Sequence, residues 1–361
     1  MKLKRSPFIA LIVLGIIIIG SGALYLYLVN NSNVFKSNTG KISLKKLVSL
    51  PSTTPAKLYE SNLDGTLVIE ENANKHPLGV MIENHPAARP QSGLAAASVV
   101  YEAIAEGGIT RYLAIYGPNS ADKIGPIRSA RTYFADWCNE YDCYYAHVGG
   151  NYDALRDKIP GDKIKDIDQF ANAGAYWREP QKGVASEHTM FSSTTKLYEL
   201  VTTKKWSTPI RENFDIYTFT DDPKTTIAAS ISKINIDFSS PSYLVNYVFN
   251  PTKNSYARNL AGKADIDLNG NTQIEAKNII IQYISRTAVV TAINETGWAM
   301  PTVGSGRAVI YQNGTKTEGS WKKTDKYART QFLGSDGQLI TLNRGATWVE
   351  VVNPGSTVTD N

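Results

Sequence analysis

Three groups of residues have types and spacings that could do chemistry. The first is Ile124-Gly125-Pro126-Ile127-Arg128-Ser129-Ala130-Arg131. Gly then Pro ahead of an apolar-periodic run predicts a helix start, because Pro lacks the N–H that has no partner at the first helical position. Arg128 and Arg131 would then share one face of the first turn. A helix N-terminus offers free N–H groups and the positive end of the dipole, so two arginines beside it would attract a carboxylate or phosphate. The second group is Glu102, Glu106 and Arg111, on two β-branched and aromatic runs around Gly107-Gly108. Those runs predict a hairpin with a two-residue turn. In that register 106 faces 109, 104 faces 111 and 102 faces 113, which sets Arg111 diagonally between the two glutamates on one face. This is either a charge-balanced sheet surface or a site floor anchored by Arg111. The third group is the histidines, His76, His85, His147 and His188, all within 76–188. His147 ends a predicted strand ahead of Gly149-Gly150, where α/β sheets place ligands; a core histidine is the alternative reading.

Several familiar chemistries are absent. There is no G-x-S-x-G elbow, H-E-x-x-H, P-loop or strand–GxGxxG–helix unit. The tetrad S-x-x-K at Ser193–Lys196 recurs at Ser43–Lys46, Ser120–Lys123 and Ser320–Lys323 without S-D-N or K-T-G, so it is noise. Cys138 and Cys143, the two cysteines, precede His147 closely, but a disulfide or buried thiols are the blander readings. A disulfide needs the helix to end at about 139–142. Two cysteines with no histidine at ligand spacing make no zinc pattern. Glu102 and Glu106 on one strand would lie about 13.6 Å apart, beyond the roughly 5–9.5 Å of glycosidase carboxylates. Glu83 with Glu102 on a neighbouring strand stays open. Candidate catalytic residues are therefore Glu83, Glu102 and His147. Candidate ligand-binding residues are Arg89, Glu102, Glu106, Arg111, Arg128, Arg131, His147, Arg178 and His188. Arginine outnumbers any acid–base pair, which favours holding an anion over catalysis. No metal or cofactor is implied.

The elements that must position these residues follow from the chain as a whole. Its 361 residues allow a leader plus two ordinary domains. Net charge is +5, but Lys2, Lys4 and Arg5 supply three of those charges. No dense basic run follows, so nucleic acid is not an expected partner. Residues 8–29 are 22 uncharged residues, about 33 Å as a helix and enough to span a bilayer core of about 30 Å. With cations ahead of it, the segment predicts a single-pass transmembrane anchor with residues 1–7 cytoplasmic and the bulk extracytoplasmic. A signal peptide cleaved at Ser21-Gly22-Ala23 is the competing reading, disfavoured because the apolar run continues beyond it.

Residues 30–62 read as a polar linker. From 63 to 230 the pattern predicts an α/β (α+β) ligand-site domain: a strand at 78–82, the hairpin, a helix over 126–141, a strand at 144–148, helices at 151–158 and 192–205, and a long irregular loop at 160–190. From 231 to 354 it predicts a smaller, mostly-β domain, followed by a tail at 355–361. The expected strands are 231–238, 243–249, 279–284, 288–293, 307–312, 330–333, 338–342 and 347–352. Asn313-Gly314 and Asp336-Gly337 supply hairpin turns.

Read together, these stretches resemble the YerB-like family of bacterial envelope proteins, a domain of unknown function. The residues that carry the resemblance are Gly79–Asn84, Ala88–Leu94, Val100–Ala103, Glu106–Arg111, Ile124–Arg131 and His147–Gly150, with Trp177-Arg178 and His188. In the β region they are Tyr256-Ala257-Arg258, Gly319-Ser320-Trp321 and Gly345–Trp348. The resemblance covers about residues 77–352 and implies a two-part ectodomain. Many members look like lipoproteins, whereas this chain has no lipid-accepting cysteine at the end of its apolar run. The expectation is an envelope binding or scaffold protein, its Arg-lined crevice holding a peptidoglycan carboxylate, a teichoic phosphate or a peptide. Its partners would be the membrane and a wall polymer or envelope protein. The alternative is a cell-wall hydrolase using Glu83 or Glu102 with His147.

Overall fold

The run Leu78–Glu83 is apolar almost throughout and buried at every residue, the pattern of a strand covered on both faces. It is β1 of a large sheet that the first half of the chain begins. That half also gives β2 (Val99–Glu106), β3 (Ile109–Tyr116), β4 (Tyr144–Ala146) and β5 (Lys165–Asp166). The second half gives five strands of a smaller sheet: β6 (Lys233–Asp237), β7 (Leu244–Asn250), β8 (Ser255–Leu260), β9 (Lys263–Ala264) and β10 (Glu275–Ala276). It then returns to the large sheet with β11 (Asn278–Tyr283), β12 (Gly304–Gln312), β13 (Thr315–Lys323), β14 (Gln331–Gly334) and β15 (Thr347–Val352). Last comes β16 (Val358–Asp360), on the edge of the smaller sheet. This computed structural model describes residues 57–206, 210–211, 217–224 and 228–361. Residues 1–7, expected to be a cytoplasmic tail, the apolar run at 8–29 and residues 30–56 of the expected linker lie outside them. Among the described residues no helix is long and apolar enough to cross a membrane.

The large sheet has the order β14-β13-β12-β11-β15-β2-β3-β1-β4-β5. Its two halves meet at β15 and β2, paired parallel from Thr347 opposite Val99 to Val351 opposite Ala103. One face packs against the smaller sheet through Val80, Ile82, Ile104 and Tyr112 on one side and Ile234 and Tyr247 on the other. The opposite face packs against helix α1 (Thr132–Glu140), where Met81, Tyr101 and Leu113 meet Tyr133, Phe134 and Trp137. Residues Lys57–Asn361 make one compact unit. The fold is mostly β with few helices. The α/β character expected of 63–230 reduces to α1, a helical stretch over 152–161 where one was expected at 151–158, α2 (Thr194–Thr203, capped by the Ser193 side chain) and short turns.

Two local expectations change. The helix predicted from Pro126 begins six residues later, at Thr132. Residues 124–130 run extended instead, because their backbone groups are taken by neighbouring segments. Glu83 N–H donates to the Pro126 carbonyl at 2.8 Å, Ile127 N–H to Met190 at 2.6 Å and Arg128 N–H to Met81 at 3.0 Å. Backbone groups satisfied that way leave none for a helical turn. Arg128 and Arg131 therefore do not share a helix face, and Arg131 sits at the N-cap without a side-chain capping bond. The second change is register. The hairpin forms on Gly107 and Gly108, whose φ of +51° and +84° suit a two-residue turn. Glu106 faces Ile109 as expected, but a bulge between Ile104 and Glu106 then sets Ile104 opposite Thr110 and Glu102 opposite Tyr112.

Elsewhere the outcome is mixed. The 338–342 strand is reduced to Leu342–Asn343, and β8 and the full length of β13 are additions to the expected set. Because α1 ends at Glu140, Cys138 and Cys143 come to a Cα separation of 5.4 Å and are disulfide-bonded.

Candidate functional site

A slip of one residue turns a strand's side chains to the other face of the sheet. The bulge does this to one glutamate and not the other. Glu102 lies on the smaller-sheet side and Glu106 on the α1 side, with Arg111. Glu83 ends β1 directly opposite Arg111 on β3. Two adjoining clusters result on that side. In the first, Glu83 is buried with Oε2 at 2.5 Å from Arg128 Nε and 3.6 Å from His188 Nδ1. Arg128 also reaches Glu187 at 3.1 Å, and the His188 ring stacks on His85 with centroids 4.7 Å apart. In the second, Glu106 takes charge-assisted bonds from Arg111 and Arg131. Burial works to raise the Glu106 carboxyl, but the two guanidiniums outweigh it and hold it below the usual carboxylate range. Arg111 is lowered to about 10, by burial first and then by the Arg131 charge.

The other predicted residues lie apart from this place. Glu102 is fully buried across the sheet, ion-paired to Arg258, and accepts from the Thr110 hydroxyl at 2.6 Å. Glu83 and Glu102 therefore share no pocket. His147 is fully buried with both ring nitrogens engaged: Nδ1 lies 2.8 Å from the Gly149 carbonyl and Nε2 lies 2.9 Å from Asp166. That is the arrangement of a core histidine. Arg89 is held by Asn84 and by the Ser242 carbonyl. It lines a cleft of about 440 Å³ with Lys263 and Asp265. Arg178 is exposed and donates to the Ser186 carbonyl, bracing the turn that carries Glu187 and His188. A larger cleft, of about 540 Å³, lies between Tyr283–Ser285 and Gly304–Arg307 over Trp321, away from both clusters. Among the described residues no group of three or more His, Cys, Asp or Glu is placed to hold a metal ion. Each arginine of the two clusters has a carboxylate of this chain beside it, which composition alone does not reveal.

Comparison with known proteins places the chain. The model described as "Protein of unknown function (DUF3048) N-terminal domain" matches residues 63–207, and its C-terminal counterpart matches 234–349. The chain belongs to the DUF3048 family. It is 27% identical over 315 residues to the Bacillus subtilis (strain 168) protein named "Putative lipoprotein YerB", covering 86% of this chain and 91% of that one. The crystal structure of the YerB protein from Bacillus subtilis matches with a TM-score of 0.72 at 24% identity, over 83% of this chain and 99% of that chain. That likeness carries the fold. The family read from the sequence motifs is thereby confirmed.

Three of those motif residues meet where the two sheets join. Arg258 of β8 is fully buried and ion-paired to both Glu102 of β2 and Asp265. Its Nε donates to the Tyr247 hydroxyl at 3.2 Å, and that hydroxyl donates to Glu350 at 2.5 Å. The guanidinium lies 4.5 Å from the centroid of the Trp348 ring, a cation–π contact. Sequence reading left Arg258 and Asp265 out of the site because Glu102 is 156 residues from Arg258. Glu187 had a signal that was passed over: it directly precedes His188.

Proposed function

We propose that this chain is a membrane-anchored, extracytoplasmic binding or scaffold protein of the bacterial cell envelope, holding an anionic group at the Arg111–Arg128–Arg131 face. The leader supports the location, with three cations ahead of 22 uncharged residues. The name of the Bacillus relative supports it as well. One observation carries the binding reading. Arg111 is buried, and its Nε has no hydrogen-bond partner even with Glu106 on Nη2 and the Ser129 carbonyl on Nη1, in keeping with a guanidinium lowered to about 10 by burial. A buried cation disfavoured by its surroundings gains from an added anion. No observation favours hydrolysis by Glu83 or Glu102 with His147, since the sheet separates the glutamates and His147 is engaged by Gly149 and Asp166.

The test uses the full chain in detergent with purified sacculi. Arg128→Ala plus Arg131→Ala is expected to lower retention at least several-fold while circular dichroism stays native. Unchanged retention would refute the anionic-wall reading. Release of muropeptides by the wild type, read by mass spectrometry, would replace it with hydrolysis.

A further inference from the structure

The tip of the β2–β3 hairpin holds an ion pair unlike the one inside the protein. At the sheet junction Arg258 and Glu102 are both 0% exposed. At the tip the Arg111 side chain is 1% exposed and its Glu106 partner 42%. The cations are also fixed from behind. Arg111 Nη1 donates to the Ser129 carbonyl at 3.3 Å and Arg131 Nη1 to the Ala130 carbonyl at 2.7 Å. Each guanidinium then turns one Nη2 toward the same place. Arg111 Nη2 donates to Glu106 Oε1 at 2.6 Å, and Arg131 Nη2 donates to Glu106 Oε2. Arg111 Nε, also buried, has no hydrogen-bond partner.

The holders are thus buried and braced, while what they hold is half in solvent. The turn itself is tethered, since the Ser239 hydroxyl donates to the Gly108 carbonyl at 2.6 Å, so Glu106 leaves by rotating its half-exposed side chain into the open space beside Gly107, where a Cβ would meet nothing within 4 Å. The place itself is shaped for one flat group with two oxygens. Two converging donors, one per oxygen, match a carboxylate.

From this geometry we propose that the Arg111–Arg131 pair is a carboxylate-binding subsite which Glu106 fills from within the chain, and that a carboxylate-bearing peptide binds there by displacing Glu106. The inference rests on the anion-holding reading above and names the group held. A tethered carboxylate competes at an effective concentration of order millimolar. The incoming peptide must therefore add contacts of its own, and Glu83, Arg128 and His188 adjoin the subsite to supply them. If Glu106 fills the subsite about nine-tenths of the time, its removal raises apparent affinity about tenfold.

The experiment is calorimetric titration of the full chain in detergent with three probes: a peptidoglycan stem tripeptide, the same tripeptide with its carboxyls amidated, and inorganic phosphate. The expected result is binding of the tripeptide alone, about tenfold tighter for Glu106→Gln and lost for Arg131→Ala. Glu106→Asp keeps the charge but shortens the reach, so a severalfold gain there separates displacement from a change in net charge. It also serves if Glu106→Gln does not fold. Equal wild-type and variant affinities would overturn the displacement and leave the anion reading standing. Phosphate binding tighter than the tripeptide would overturn the carboxylate class. No binding of either probe, with sacculus retention still sensitive to Arg128 and Arg131, would overturn this subsite alone. Loss of that sensitivity as well would overturn both.

Discussion

Arg258→Ala removes the cation that Glu102 and Asp265 share. All three side chains are at least nine-tenths buried, at 0%, 0% and 6% exposure. Water cannot replace the guanidinium without opening the contact between the sheets. Burial already pushes the Asp265 carboxyl up with Arg258 present. Breaking a buried pair by deleting one member costs about 3–5 kcal/mol. A unit of about 300 residues loses roughly 1.6 °C in Tm per kcal/mol, so the variant should melt about 5–8 °C below the wild type. Glu102→Gln should cost about half as much, because Arg258 keeps Asp265 and the new amide keeps the Thr110 hydroxyl within reach. Thermal unfolding of the full chain in detergent, followed by tryptophan fluorescence, reads both. An Arg258→Ala loss below about 1 kcal/mol would refute the view that this cluster joins the two sheets.

Two further outcomes follow from local geometry. Cys138→Ser plus Cys143→Ser opens a loop of about six residues, for which chain entropy gives a loss of about 2 kcal/mol; unchanged stability in thermal unfolding would deny the crosslink any role. Glu106 should give the wild type a pH dependence that Glu106→Gln lacks. Its folded-state pKa is depressed, so its contribution is full above the unfolded value of about 4.3 and is lost as pH falls through the folded value. The stability gap between the two proteins should therefore narrow from pH 5 toward pH 3, and a gap that stayed constant would count against the Arg111–Glu106–Arg131 bonding.

What the sequence disclosed was what short-range chemistry decides. Gly107-Gly108 between two β-branched runs placed the hairpin, and Asn313-Gly314 joins β12 to β13. Ser193 caps α2 through its side chain. What it hid was set by distant segments. Gly125-Pro126 carries a genuine helix-start pattern, yet Met81, Glu83 and Met190 take up the backbone there and delay the helix to Thr132. The pairing of β15 with β2 joins residues about 250 apart in sequence, and no local signal specifies such a contact. Nor does anything in Ala103–Glu106 announce a bulge.

That bulge decides how the charged residues divide. Without it Glu102 and Glu106 would flank Arg111 on one face, and both would read as parts of one balanced patch. With it they go to opposite faces and meet different arginines. At these two places the chain makes the same type of ion pair under different constraints. Where both partners are sealed, at Arg258 and Glu102, exchange for an outside ligand would require parting the sheets, so the pair serves stability. Where the cations are sealed and the carboxylate is half in water, at Arg111, Arg131 and Glu106, the exchange proposed above would need only a rotation of the Glu106 side chain. Unequal burial within a pair, rather than a count of arginines, is therefore the property on which the proposed ligand subsite is told apart from the pair that holds the sheets together.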